Sequence, residues 1–256
     1  MEFTDQLSRK IDVSFPPQRI ISLVPSQTEL LFDLGLSNRV AGVTKFCIHP
    51  AGTVKSKTII GGTKNFRFDV IDQLKPDLII GNKEENYIEG ISILEQKYPV
   101  WMSDISDYES ALAMIRGVAA VTGTTERGKK IISTINRAFE RLPEFPRKRV
   151  LYLIWHPWMA AGTGTFIHSM LSRLGLINVV EGSRYPELSE AAIRQLNPDV
   201  VLLSSEPFPF KAHHENSIRQ LLPHAKVVHV DGELFSWYGS RMAKAPAYFA
   251  SLLPVI

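Results

Sequence analysis

The sequence predicts an α/β protein made of two similar lobes separated by a helical stretch. Three observations carry this reading. Short apolar runs rich in β-branched residues alternate with longer amphipathic segments, the pattern of parallel βαβ units with helices on both sheet faces. Between residues 107 and 146 that alternation gives way to helical spacing. Beyond it, segments of the first part recur in the same order. The chain has 256 residues, 45% hydrophobic and 21% charged, which is enough to bury a sizeable core.

Taken in order, Arg19-Ile20-Ile21-Ser22-Leu23-Val24 reads as a buried strand. Pro25 stops it, and Ser26 is expected to cap a helix that runs to Gly35, where glycine suits a C-terminus. Val40–Val43, Asp77–Gly81 and Val100–Met102 read as the next strands. Ala111, Leu112, Ile115, Val118 and Ala119 mark one helix, broken at Thr122-Gly123-Thr124. Ile131, Ile132, Ile135, Phe139 and Leu142 mark a second, ended by Pro143 and Pro146. Strands return at Val150–Ile154, Val200–Leu203 and Val227–Val230.

The repeat is local and specific. Ile71 to Ile80 matches Ile193 to Leu202, 122 residues later, with five of ten positions identical. Arg19 before a strand recurs as Arg149, Leu34-Gly35-Leu36 as Leu174-Gly175-Leu176, and Val100–Asp104 as Val227–Asp231. Drifting offsets in a preserved order predict two related lobes with different loop insertions. The division expected is an N-terminal lobe over 1–106, helices over 107–146 and a C-terminal lobe over 147–256.

Composition excludes several classes. A net charge of +3, scattered along the chain, is not the concentrated basic stripe of a nucleic-acid binder. The single cysteine, Cys47, excludes an intrachain disulfide. No apolar run approaches the roughly 20 residues of a membrane span. Met1–Phe15 is polar and lacks the apolar stretch of a secretory signal, so the expectation is a cytoplasmic protein or one whose signal has been removed.

In open α/β sheets, ligands sit beyond the carboxyl ends of the strands. The residues there form an unusual set: Pro25-Ser26-Gln27, Lys45-Phe46-Cys47-Ile48-His49, Asn82 to Tyr87, Trp155-His156-Pro157-Trp158, Ser204 to Phe208, and Phe235 to Tyr238 with Arg241. Three of four tryptophans fall in these loops, which suits a large, flat, partly apolar ligand; packing over the sheet ends is the competing role. Nucleophilic catalysis finds little support, since no Gly-x-Ser-x-Gly elbow occurs and Cys47 reads as a buried thiol. Gly162–Thr165 and Gly61-Gly62-Thr63 lack the remaining residues of a phosphate-binding loop and read as tight turns. His213, His214, His224 and His229 show no structural-zinc spacing, and the adjacent pair is expected to diverge on a solvated loop. His49 and His156 are better placed to approach a metal complex. Glu84, Glu85 and Glu206 allow acid–base work or serve as helix N-terminal charges. Glu89 and Glu215 read as surface residues or docking charges.

Arg19-Ile-Ile-Ser-Leu-Val-Pro-Ser-Gln-Thr-Glu29, with Leu34-Gly35-Leu36 and Val40-Ala-Gly-Val43, resembles the opening of the ABC-importer solute-binding proteins for vitamin B12 and ferric siderophores, the helical-backbone metal receptors. Asp231 to Arg241 and Glu206-Pro-Phe208 resemble the cobalamin-binding branch more closely. The resemblance implies a class III periplasmic-binding-protein fold: two Rossmann-like lobes joined by a long rigid α-helix, here Thr124 to Leu142, with the ligand cleft between the lobes. It implies a non-enzymatic receptor delivering cobalamin or another corrinoid to an ABC permease in the membrane, acting as a monomer, with no covalent cofactor and no catalytic residue. The ligand set it implies is Ser26, Gln27, Lys45, Phe46, His49, Glu85, Asn86, Trp155, Trp158, Glu206, Phe208, Trp237, Tyr238 and Arg241, with no protein-bound metal and His49 or His156 as a candidate axial contact. Glu89 and Glu215 are the implied permease-docking carboxylates. A periplasmic or membrane-associated location follows from the same resemblance. A ferric siderophore, favoured by Lys45, Lys83 and Arg241, and haem are the alternative ligands. The alternative from another class is a cytoplasmic corrinoid-handling enzyme using Glu84, Glu85 or His49.

Overall fold

The computed structural model describes residues 1–256. Its contacts divide into two compact units. One comprises Met1–Ile105, Glu109–Asn136 and Tyr238–Arg241; the other comprises Ser106–Tyr108, Arg137–Trp237 and Met242–Ile256.

The first unit opens with a hairpin, β1 (Glu2–Thr4) and β2 (Lys10–Asp12). A five-stranded parallel sheet follows, made of β3 (Ile20–Ser22), β4 (Val40–Val43), β5 (Thr58–Ile59), β8 (Leu78–Asn82) and β9 (Val100–Ser103), in the order β5-β4-β3-β8-β9. The hairpin β6 (Gly61–Gly62) and β7 (Asn65–Phe66) makes the tight turn expected at the glycine pair. Every residue of β3, β8 and β9 is buried, because α1 (Pro25–Asp33), α3 (Phe68–Leu74), α4 (Ile88–Glu95) and their loops cover the sheet. A short helix, α2 (Ala51–Val54), lies between β4 and β5. α5 (Tyr108–Val121) buries Ala111, Leu112, Met114, Ile115, Val118 and Ala119. α6 (Thr125–Glu140) follows Gly123, and the chain passes from the first unit to the second within it.

The second unit is built on β10 (Arg149–Trp155), β11 (Met159–Ala160), β12 (Ile177–Asn178), β13 (Val200–Ser204) and β14 (Lys226–Val230). The order is β11-β10-β13-β14, with β12 beside the start of β10, and only β11 is antiparallel. The covering helices are α7 (Phe166–Arg173), α8 (Glu190–Leu196), α9 (Ala212–Leu221), α10 (Gly232–Ser236) and α11 (Ala245–Leu252). Thr165 caps α7 by accepting the His168 N–H, so Gly162–Thr165 is a turn and cap. No helix is long and apolar enough to cross a membrane.

The repeat read in the sequence is a repeat of structure. α1 and α7 both end in a glycine with positive φ, Gly35 at 77° and Gly175 at 74°, a conformation that only glycine adopts without strain. In each case the next N–H closes back onto the helix, Leu36 to the Leu31 carbonyl and Leu176 to the Leu171 carbonyl, both at 3.0–3.1 Å. α3 and α8 both end on a left-handed residue, Lys75 and Asn197. One expectation fails locally. Ser26 does not cap α1: Val24 is the N-cap, Pro25 takes the first helical position, and Ser26 is buried inside the first turn. Proline suits that position because its missing N–H would have been unpaired there.

Candidate functional site

In the first unit the carboxyl end of the sheet is polar and tightly wired. The loop after β8 turns on Asn82, whose Oδ1 accepts the Glu84 and Glu85 N–H groups at 2.8 and 3.1 Å. Asn86 closes it, its Oδ1 accepting the Asn82 N–H and its amide donating to the Thr63 carbonyl. Ser103 Oγ ties this loop to α1, accepting from Asn82 Nδ2 and from Gln27 Nε2. Glu85 accepts the Tyr238 hydroxyl proton at 2.7 Å. Burial and the Glu85 carboxylate both push the Tyr238 phenol far above its usual value, so it stays protonated as the donor. The four-residue return of the chain, Tyr238–Arg241, also carries Arg241 onto α1, where it grips Glu29 with contacts of 2.7 and 3.1 Å. Both partners of that ion pair are buried. Lys45 and Phe46, by contrast, stand out in solvent, with Phe46 50% exposed and the Lys45 ammonium 5.0 Å from its ring. His49 is half-buried in the same loop.

Cys47 is a buried thiol beside Thr28 Oγ1 and Thr44 Oγ1, and burial raises its pKa, which is the opposite of what a nucleophile needs.

The second unit presents rings at its carboxyl ends. Trp155 is 45% exposed at the end of β10 and leans on Phe208 at 5.6 Å. His156 stacks on Phe208 at 5.9 Å and meets His214 at 4.9 Å. His213 and His214 do not diverge on a loop: they begin α9 with ring centroids 3.8 Å apart, and His214 is buried with Nδ1 accepting the Lys211 N–H. Burial, together with the neighbouring imidazoles His213 and His156, lowers the His214 pKa and keeps its ring neutral. No group of three His, Cys, Asp or Glu side chains is arranged to hold a metal ion.

Several residues of the implied ligand set are committed to the protein instead. Trp158 lies in the core among Leu151, Leu153, Val201 and Phe210, 6% exposed, because the short β11 folds back antiparallel on β10. Trp237 is buried, and its indole N–H donates to Glu206 at 2.8 Å, beside the Ser236 hydroxyl at 2.7 Å. Burial raises the Glu206 pKa against these two hydrogen bonds, with Glu233 and Asp231 adding to the rise. Arg241 is held by Glu29. Of the two implied docking carboxylates, Glu89 is exposed in the first turn of α4. Glu215, in the first turn of α9, is held by Arg219 at 2.7 Å and His229 at 3.0 Å. Glu29, Ser240 and His214 were not singled out from the sequence for the site. Glu29 lies within the opening motif and Ser240 within the closing one, which is the only signal that marked them.

Each sheet therefore presents its strand ends as a rim on a doubly covered α/β frame, and the one thiol there, Cys47, is buried with a raised pKa. Residues 20–230 match the periplasmic binding protein family, and the chain belongs to it. Among its relatives, the ABC transporter substrate-binding lipoprotein YvrC of Bacillus subtilis is 21% identical over 93% of this chain and 80% of its own length. A cobalamin-binding protein of Halobacterium salinarum is 26% identical over 77% of this chain, which spans 57% of that relative's length. The periplasmic vitamin B12 binding protein BtuF of Vibrio cholerae has the same fold, with a TM-score of 0.78 at 19% identity, over 94% of this chain and 98% of its own.

Proposed function

We propose that this chain is the substrate-binding receptor of an ABC importer, that it acts as a monomer outside the cytoplasmic membrane, and that its ligand is a corrinoid, cobalamin first. The observation that carries the reading is the contrast of solvent-exposed rings, Phe46 on the first sheet's rim and Trp155, leaning on the half-buried Phe208, on the second's, with a polar, hydrogen-bonded loop at Asn82–Asn86. A corrin has apolar ring faces and an amide-rich periphery, so ring surfaces with few unpaired charges suit it. The cobalamin-binding relative supports the same choice.

Under this reading the chain divides into an N-terminal lobe over 1–106, a helical connection over 107–146 and a C-terminal lobe over 147–256. Phe46, Trp155 and Phe208 contact the ring, and Ser26, Asn86 and Glu85 serve its periphery. Glu89 and Glu215 dock on the permease. The receptor returns its ligand chemically unchanged, which separates it from a corrinoid-modifying enzyme using Glu84, Glu85 or His49. The exposed His156 and His213 imidazoles favour haem as the second ligand to try, and Lys45 a ferric siderophore.

Titration of the purified chain with cyanocobalamin, followed by tryptophan quenching and corrin absorbance, should saturate at one equivalent in the nanomolar to micromolar range. Trp155→Ala should weaken binding about tenfold or more, since exposed aromatic anchors dominate such contacts. No saturation at high micromolar ligand removes the corrinoid assignment.

A further inference from the structure

Phe208 is the central ring of the second unit's rim, and its own backbone does little to hold it. It sits in Pro207-Phe208-Pro209, within the loop 205–211 that joins β13 to α9. Neither proline has an N–H with which to anchor that loop. The ring is therefore placed by side chains. Two of the rings that meet it are exposed, Trp155 at 5.6 Å and His156 at 5.9 Å. Two are buried, Phe210 at 5.0 Å and His214 at 5.1 Å. Phe210 belongs to the same loop and rests edge-on against His214 at 5.6 Å. His214 alone comes from a helix.

His214 is fixed twice. Its N–H donates to the Lys211 carbonyl at 2.9 Å in the first turn of α9, and its Nδ1 accepts the Lys211 N–H at 3.0 Å. The second bond sets the plane of the imidazole. That plane stands at 79° to Phe208 and 88° to Phe210, the edge-to-face geometry that aromatic pairs favour. The position asks for an acceptor on Cγ and a ring in one side chain. Asparagine supplies the acceptor without the ring, and phenylalanine the ring without the acceptor; histidine supplies both. We propose that His214 is the positioning residue of this rim: it holds Phe208, and through Phe208 the exposed Trp155 ring, in the arrangement that receives the ligand. The inference rests on the receptor reading above and deepens it, since it names the residue that pre-organises the apolar contact.

Trp155 is 45% exposed, against 1%, 6% and 9% for Trp101, Trp158 and Trp237, so acrylamide quenching of the ligand-free chain reports on it. His214→Asn keeps the cap and removes the ring. Quenching should rise, by up to about twofold, as Trp155 loses the ring it leans on. His214→Phe restores a ring and should bring quenching back towards wild type even though α9 loses its cap and Tm falls. Phe208→Leu, with His214 intact, should reproduce the rise, and His214→Asn should add little in that background, as expected of residues acting in series. Cyanocobalamin affinity should follow the same order, falling about three- to tenfold for His214→Asn, the cost of ordering a side chain on binding. Wild-type quenching in His214→Asn or Phe208→Leu, additive effects of the two, or no recovery in His214→Phe overturns the positioning role. Quenching that rises while affinity holds overturns its use by the site. If wild type does not bind cyanocobalamin, the corrinoid reading fails by itself; haem then replaces it as the probe, and the quenching series still decides the role of His214.

Discussion

The two units share a frame and differ at the rim. In the first, the Asp77 carboxylate accepts the Gln18 and Arg19 N–H groups at 2.7 Å, while Arg19 Nε donates to the Lys75 carbonyl at the end of α3. In the second, Asp199 accepts the Arg149 N–H at 2.8 Å, while the Arg149 guanidinium donates to the Leu196 and Asn197 carbonyls at the end of α8. The same arginine, aspartate and left-handed cap lock a helix end to the start of a strand in both. At the carboxyl ends the balance shifts: hydrogen-bonded asparagines, carboxylates and a tyrosine dominate one rim, and packed tryptophan, phenylalanine and histidine rings the other. The shared contacts lie at the strand starts, where they fix the helix end against the strand. The strand ends are released from that constraint and are free to differ.

The largest difference between the rims is how each buries a carboxylate. Glu29 of the first unit is buried against Arg241, whereas Glu206 of the second is met by an indole N–H and a hydroxyl. Breaking a buried pair by removing one partner costs about 3–5 kcal/mol, because the remaining charge is stranded. Arg241→Ala should therefore lower the unfolding free energy by about that amount in a urea titration. The double variant Glu29→Gln with Arg241→Met should recover most of the loss, since both charges are then gone. If the single variant is as stable as wild type, the ion pair is not what anchors the returning segment.

A smaller effect separates the two strand-start locks. Asp77 accepts two backbone N–H groups and Asp199 one from its arginine. At about 1 kcal/mol per hydrogen bond, discounted for exposure, Asp77→Ala should cost roughly 1–2 kcal/mol and Asp199→Ala about half of that. Equal losses would mean that Asp77's second hydrogen bond adds nothing.

The frame was legible in the sequence and much of the rim was not, for a physical reason. The helix ends, the β-branched runs and the Leu-x-Pro-Asp segments that recur before β8 and β13 are written in residues within about ten positions of each other. The commitments of Trp237 and Arg241 depend on partners 31 and 212 residues away, which no local pattern reveals. Trp158 shows the same limit over a shorter range. It follows Trp155 by three residues, but the fold-back of β11 takes one ring into the core and leaves the other in solvent. The opening and closing motifs did mark Glu29 and Arg241 together, without saying that they meet.

Glu206 also gives the second unit a pH dependence. Its folded pKa lies above the ordinary 4.5, chiefly through burial. The folded state therefore holds the proton more tightly than the unfolded chain does. The stability this contributes is present below pH 4.5 and is lost as pH rises through the raised value. Glu206→Gln has no such proton to lose. Its midpoint of thermal unfolding should gain on wild type between pH 4 and pH 8, and a pH-independent difference would exclude burial of the carboxylate as the cause.

The smallest effect tests the two helix ends where the frame is most alike. Lys75 and Asn197 adopt almost the same left-handed conformation, φ 47° and 44° with ψ 60° in both. A lysine Cβ crowds the following carbonyl there, whereas asparagine is the non-glycine residue that tolerates this region best. Glycine removes the crowding but adds freedom to the unfolded chain. For lysine the first effect wins, and Lys75→Gly should stabilise by about 0.5 kcal/mol. For asparagine the two nearly cancel, and Asn197→Gly should fall within about 0.3 kcal/mol of wild type. Denaturant midpoints of the two variants, measured side by side, read the difference directly. A larger gain at Asn197 would mean that its side chain, and not its backbone, is what the second helix end strains against.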